Sequence, residues 1–222
     1  MPIFPSRRAL LAAAGMSAFG ASGAANARAA RRIDFEGDAV SALPSGVTVA
    51  LTGGGIPPVW RIVEDTTAPA GPKVLAQTST DRTDNRFPLA IFAQPEAANI
   101  DVRIRFKAVA GRKDRAGGIA VRLRDPNNYY VVRANALEDN VRLYHVVKGR
   151  RSQFAGTSAT VPSGTWLELG LRVEGERFEV FFEGRSLYTA TDKTLTGAGR
   201  VALWTKADSV THFDDIVIAT LP

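Results

Sequence analysis

The sequence predicts an all-β protein, one antiparallel β-sandwich, on three observations. From Ile33 onward apolar residues recur at every second position, and no stretch shows the three-to-four-residue recurrence of an amphipathic helix. Turn-forming clusters rich in Gly, Pro, Asn and Asp separate these alternating runs, as they do in meanders and sandwiches. Hydrophobic residues make up 45% of the chain and charged residues 23%, the balance of an ordinary globular protein with a sizeable core.

The first 29 residues stand apart. Ser6-Arg7-Arg8-Ala9-Leu10-Leu11 gives a positive start, an Ala/Gly-rich apolar run follows to about Ala25, and small residues flank Arg28 at Ala27 and Ala29. That three-part pattern is an export signal with a cleavage point, and the paired arginines make it similar to the twin-arginine class. The apolar run is at the short limit for crossing a bilayer, so cleavage is expected and no stable membrane anchor remains. Residues 30–222 are then the sandwich domain, and the expected location is periplasmic or secreted.

Residues 38–98 are looser, with Gly53-Gly54-Gly55, Pro57-Pro58 and Ala68-Pro69-Ala70-Gly71-Pro72 between strand candidates at Val47–Leu51, Val59–Val63, Val74–Thr78 and Leu89–Phe92. They read as loops and edge strands of the same sandwich. The clearest strand follows: Ile100, Val102, Ile104 and Phe106 alternate with Asp101, Arg103, Arg105 and Lys107, a half-buried strand with one solvated face. The same period returns in Ile119-Val121-Leu123, in Leu167-Leu169-Leu171-Val173 and in Phe178-Val180-Phe182. Between and around them lie Asp125-Pro126-Asn127-Asn128, Glu138-Asp139-Asn140, Lys148-Gly149-Arg150, Pro162-Ser163-Gly164, Glu174-Gly175-Glu176 and Glu183-Gly184, each with turn chemistry.

Composition narrows the function classes. With no cysteine, disulfides, thiolate metal sites and a cysteine nucleophile are excluded. The formal charge of +6 falls when Arg7, Arg8 and Arg28 leave with the leader, to 25 basic against 22 acidic residues. That excess is too mild, and too interleaved with acidic residues, for the basic footprint that phosphate binding needs, so nucleic acid is not an expected partner.

The run from Gly117-Gly118-Ile119 to Tyr129-Tyr130-Val131-Val132-Arg133-Ala134-Asn135 resembles the middle of concanavalin A-like jelly rolls. So do Glu183-Gly184 after an aromatic strand, and the ending Gly199-Arg200-Val201-Ala202-Leu203-Trp204 with Phe213-Asp214-Asp215-Ile216. More narrowly the chain is similar to the laminin G-like group that includes 3-keto-disaccharide hydrolase-type domains. The resemblance implies that the first strand, here Ile33–Glu36, lies beside the last, and that a concave sheet face takes sugars.

Four candidate sites follow. On that concave face Arg133 and Asn135 share a side with Val131, and Arg142 and Tyr144 share a side of the next strand; with Trp204 and Lys206 they supply planar hydrogen-bonding groups and aromatic rings. A solvated sheet face with Trp204 in the core is the alternative. Asp34, Glu36, Asp214 and Asp215 are candidate calcium ligands if the end strands meet, set against ordinary loop hydrogen bonding. No other cofactor is expected.

Catalytic spacing is sparse: His145 and His212 are isolated, no Gly-x-Ser-x-Gly elbow occurs, and the Glu-x-Asp-x-x-Glu of jelly-roll glucanases is absent. Finally, Lys148, Arg150 and Arg151 form a basic hairpin tip that could meet an acidic polysaccharide or a membrane surface, with a solvated loop as the favoured reading. The expected function is an exported, non-catalytic domain that binds carbohydrate or glycan. A glycoside-processing hydrolase of the 3-keto-disaccharide type and an envelope structural module remain alternatives.

Overall fold

The computed structural model describes Met1 and residues 30–222; the rest of the expected leader lies outside the described residues. Fifteen strands form two antiparallel sheets. The front sheet runs, edge to edge, β10 (Arg150–Ser158), β9 (Asn140–Val147), β8 (Asn128–Asn135), β7 (Ala116–Asp125), β14 (Arg200–Thr205), β5 (Arg86–Phe92) and β2 (Val47–Gly53). The back sheet runs β13 (Arg185–Thr191), β12 (Arg177–Phe182), β11 (Trp166–Glu174), β6 (Ile100–Ala110), β15 (Val210–Thr220), β4 (Lys73–Gln77) and β3 (Trp60–Glu64), and β1 (Arg31–Ile33) also pairs with β15.

Alternation in β6 does what the sequence predicts: Ile100, Val102, Ile104 and Phe106 are buried, and the residues between them are partly solvated. They meet Ile119, Val121, Val132 and Leu143 of the front sheet, together with Leu169, Phe178 and Phe213, in one core between the layers. Each large apolar side chain buried there contributes about 1.5–3 kcal/mol. Gly117 is part of this fit, because a Cβ there would come within 2.9 Å of the Phe106 ring.

A second apolar cluster lies on the other face of the front sheet, built from Phe87, Leu89, Ile91, Ala120, Tyr129, Val131, Tyr144, Val146, Ala202 and Trp204. The interior front strands β5, β7, β8 and β14 are therefore buried on both faces. All seven residues of β5 are buried, which removes the alternation that a half-exposed strand shows. This corrects the reading of residues 38–98 as loops and edge strands: β4 and β5 are interior strands, and only β2 and β3 are edges. β1 pairs with β15 as the resemblance implied, although it covers Arg31–Ile33 and ends before Asp34.

Two buried arginines close the ends of the sandwich. Arg86 donates to Ile56 O (3.0 Å), Ala207 O (2.8 Å) and Ser79 Oγ (2.9 Å). Arg122, at the opposite end of the front sheet, donates to Ala98 O (2.9 Å), Leu195 O (3.1 Å) and Gly175 O (2.5 Å). In each case one guanidinium satisfies carbonyls from separate loops that no strand ladder reaches.

Candidate functional site

The outward face of the front sheet carries the residues that the sequence singled out. In the β8–β9 pairing Val131 stands opposite Tyr144, Arg133 opposite Arg142 and Asn135 opposite Asn140, so all six share one face. On the other side of β8, Arg133 faces Gly118, and Gly118 in turn faces Trp204. A Cβ on Gly118 would lie 2.5 Å from Val132 O and 3.2 Å from the Arg133 Cβ, so glycine is what lets these strands close up under the two large side chains.

Arg133 is the hub, only 2% exposed. Its Nη1 donates to Asn140 Oδ1 (2.9 Å), and its Nη2 donates to Glu138 Oε2 (2.9 Å) and to the Tyr144 hydroxyl (3.1 Å). Partial burial opposes ionisation of Glu138, but the Arg133 guanidinium outweighs it and holds the carboxyl below its usual range. Arg142 lies 3.6 Å from the same Glu138 oxygen, with its side chain 37% exposed.

Asn135 and Lys206 meet through a third residue. Asn135 Nδ2 donates to Asp114 Oδ1 (2.9 Å), and Lys206 Nζ lies 2.8 Å from Asp114 Oδ2 at the end of the sheet. Trp204 is fully buried: its Nε1 donates to the Tyr129 hydroxyl (3.2 Å), which also meets Thr52 Oγ1 at 3.0 Å. Burial pushes the Tyr129 phenol up to about 12. The Trp204 ring stacks on Phe87 with centroids 5.4 Å apart and planes 20° from parallel.

Sequence reasoning missed how Arg151 is used. It lies within β10, opposite Val146, and not on a solvated tip. Its guanidinium stands over the rings of Tyr144 (4.4 Å), Phe87 (4.7 Å) and Trp204 (5.6 Å). Counting across the tight Lys148-Gly149 turn would have found it, because register from Val147 opposite Arg150 sets Arg151 on the Tyr144 side.

Two clefts open on this face. One, of about 290 Å³, is lined by Glu138, Asn140, Arg142, Gln153, Gly156, Thr157 and Ser158. The other, of about 320 Å³, is lined by Asn85, Phe87, Gly149, Arg150 and Arg151. Each is at the lower end of the size range of small-molecule sites. Of the side chains that the sequence proposed for binding, Arg142 lines the first cleft, whereas Arg133, Asn135, Tyr144 and Trp204 are buried and line neither, because their polar groups are spent on protein partners and their rings are covered.

The other candidates are spread elsewhere. Asp34 accepts from the Glu36 amide (3.3 Å), Glu36 from the Lys73 amide (2.8 Å), Asp214 from the amides of Ala70 (2.9 Å) and Asp215 (2.7 Å), and Asp215 pairs with Arg32 (2.6 Å). Among the described residues no group of three or more His, Asp or Glu side chains converges as a metal site. The two histidines stand in separate networks. His145 Nδ1 is 3.1 Å from Asp192 Oδ2, beside Tyr130, whose hydroxyl donates to Asp192 Oδ1 at 2.6 Å. His212 Nδ1 is 2.8 Å from Asp65 Oδ2, and Lys107 pairs with the same carboxylate.

No protein-family model and no curated protein matches this sequence. Solved structures do match in shape. The carbohydrate-binding module CBM66 from Bacillus subtilis superposes with a TM-score of 0.61 at 19% identity, over 79% of this chain and 96% of that one. A Bacillus licheniformis β-glucanase gives 0.57 at 10% identity, over 87% and 98%. Domain 4 of an extracellular arabinanase from Geobacillus stearothermophilus, solved in complex with arabinotriose, gives 0.55 at 15% identity, over 85% and 90%. The fold is a concanavalin A-like jelly roll.

Proposed function

We propose that this concanavalin A-like jelly roll is an exported, non-catalytic carbohydrate-binding domain that holds a glycan along the outward face of the front sheet. The observation that carries the reading is the cleft beside Arg142, where Gln153, Thr157 and Ser158 on β10 and Glu138 in the turn before β9 offer donors and acceptors at defined positions. Sugars present dense arrays of hydroxyls, and planar amide, guanidinium and carboxylate groups meet these two at a time. Support also comes from the neighbours in shape, one a carbohydrate-binding module and one an arabinanase domain bound to arabinotriose.

The non-catalytic part rests on charge. Hydrolysis of a glycosidic bond uses two carboxyl groups across the scissile bond, one of them protonated. Glu138 is the carboxylate in the described cleft lining, and Arg133 keeps it ionised, so it suits hydrogen-bond acceptance better than proton donation. That argues against a two-carboxylate glycosidase at this cleft.

The test is glycan-array screening followed by calorimetry on Arg142→Ala and Gln153→Ala, residues exposed enough to be changed without opening the core. Each is expected to weaken the best glycan about 5- to 30-fold, the loss of one or two hydrogen bonds, with the melting point held. A protein that binds no glycan but captures an envelope protein through the same face would overturn the proposal in favour of a structural role. Export is tested by the amino terminus of the released protein, expected near Ala30.

A further inference from the structure

On the footing of the carbohydrate reading, we propose that the cleft at Arg150 and Arg151 is a carboxylate subsite, and that the glycan is therefore acidic, a chain containing uronate residues. Three observations converge on it. The Arg151 guanidinium is flanked by three aromatic rings, which attract a cation by their π faces but offer it no hydrogen-bond acceptor. Its Nη1 is buried without a hydrogen-bond partner, and among the described residues neither Arg150 nor Arg151 has an ion-pair partner. The cleft lining, Asn85, Phe87, Gly149, Arg150 and Arg151, contains no carboxylate.

The contrast with the other arginines of the molecule gives the argument its weight. Arg86 spends its donors on two loop carbonyls and the Ser79 hydroxyl, Arg122 on three loop carbonyls, and Arg133, whose Nε is unpartnered, still spends both terminal nitrogens on Asn140, Glu138 and Tyr144. A partly buried guanidinium with unused donors is costly to keep, and a carboxylate held by its planar fork is the ligand that fits it best. Asp114, the carboxylate whose field reaches Arg151, is already paired with Lys206 and Asn135 and sits off the end of the sheet. Asn85 adds an amide to the cleft lining, which suits the hydroxyls of the same sugar.

The two clefts then divide the work. The Arg142 end meets hydroxyls, and the Arg151 end fixes which sugars are accepted by their charge.

The experiment is calorimetry of the purified protein with oligogalacturonate, with a neutral oligosaccharide of the same length, and with polyglutamate, each at low and at high salt. Oligogalacturonate is expected to bind at least tenfold tighter than the neutral chain and to weaken as salt rises. Arg151→Gln is expected to cost about tenfold or more, Arg150→Gln less, and Arg151→Lys an intermediate amount, because it keeps the charge but loses the fork. If Arg151→Gln fails to fold, Arg151→Lys and Arg150→Gln carry the test.

Neutral glycan bound as tightly as oligogalacturonate, or acidic glycan bound equally by every Arg151 and Arg150 variant, overturns the subsite and leaves the carbohydrate reading standing. Polyglutamate bound as well as oligogalacturonate overturns the uronate assignment in favour of an anion site of another kind. Binding of neither oligosaccharide in solution and of no glycan on the array overturns both proposals together.

Discussion

Arg86 has no solvent exposure, yet it keeps its guanidinium by meeting the carbonyls of Ile56 and Ala207 and the Ser79 hydroxyl, with Asp81 3.5 Å away. Replacing it with Met, which is close in bulk and apolar, takes the partner from the buried Ala207 carbonyl and Ser79 hydroxyl, at about 1–3 kcal/mol each, and from the part-buried Ile56 carbonyl. Arg86→Met is therefore expected to destabilise by about 3 kcal/mol and to lower the melting point by roughly 6–12 °C, read by far-ultraviolet circular dichroism. A drop below about 2 °C would show that the loops satisfy these carbonyls by other means. At this scale the sequence was legible where residues act by their side of a strand: Arg133, Asn135, Arg142 and Tyr144 share the face that their spacing assigns. It was not legible where a side chain acts by reach. Nothing local to Arg86 or Arg122 announces that they seek carbonyls 24 to 121 residues away, and although turn register sets Arg151 beside Tyr144, nothing local announces the Phe87 and Trp204 rings on two further strands.

β6, β11 and β12 could be read directly, since each has one face toward the core and the other partly solvated. β5 was legible only as the shorter run Leu89–Phe92, and its interior place was not, because both of its faces are covered and its seven residues carry no period. The edge strands β10 and β13 also went unread: they are mostly exposed, and their pairing carries bulges at Gln153/Ala155 and, in the β12–β13 ladder, at Val180/Phe181. Such irregular, charged edges protect a sheet from pairing with another molecule, at the cost of a clear pattern. Strand packing also separates two glycines that sequence treats alike. In β7, a Cβ on Gly118 meets the backbone oxygen of Val132 at 2.5 Å; in β11, a Cβ on Gly170 meets only the Arg103 side chain, nearest at 2.5 Å. Gly118→Ala is expected to cost about 1–3 kcal/mol by overpacking, whereas Gly170→Ala should cost well under 1 kcal/mol as Arg103 swings off the Phe181 ring it now covers at 3.6 Å. Chemical denaturation of both variants decides it, and equal losses would mean that β7 has room to shift.

The whole molecule should respond to acid in two opposed steps. Asp214 is buried, and burial pushes its carboxyl from 3.8 up to about 6. A carboxyl raised in the folded state takes up its proton more readily there than in the unfolded chain. Its ionisation therefore works against folding as pH rises from about 4 to 6, and that penalty is fully present above pH 6. Asp65, Asp192 and Asp208 go the other way. Burial opposes their ionisation, but Lys107, Thr67 and His212 around Asp65, Tyr130 and Thr194 around Asp192, and the amides of Arg112, Asp114 and Lys113 around Asp208 hold all three below the usual range. Their contribution is present above the unfolded value near 4 and is lost as pH falls through the folded values. The melting point is expected to rise slightly from pH 7 to about 4.5 and then to fall steeply, and the Asp214 carboxyl carbon should titrate near 6 by NMR. A titration near 4 would mean that water reaches the group.

The pairing of Arg31 with Ile218 brings the two ends of this fold side by side in the back layer, while the clefts open from the front layer. A host protein can thus take the sandwich in through one doorway and leave by the same one, without stretching either connection. A tag or tether joined at either end would sit behind the clefts and leave them clear, so immobilising the protein by its termini keeps the front layer open to solution.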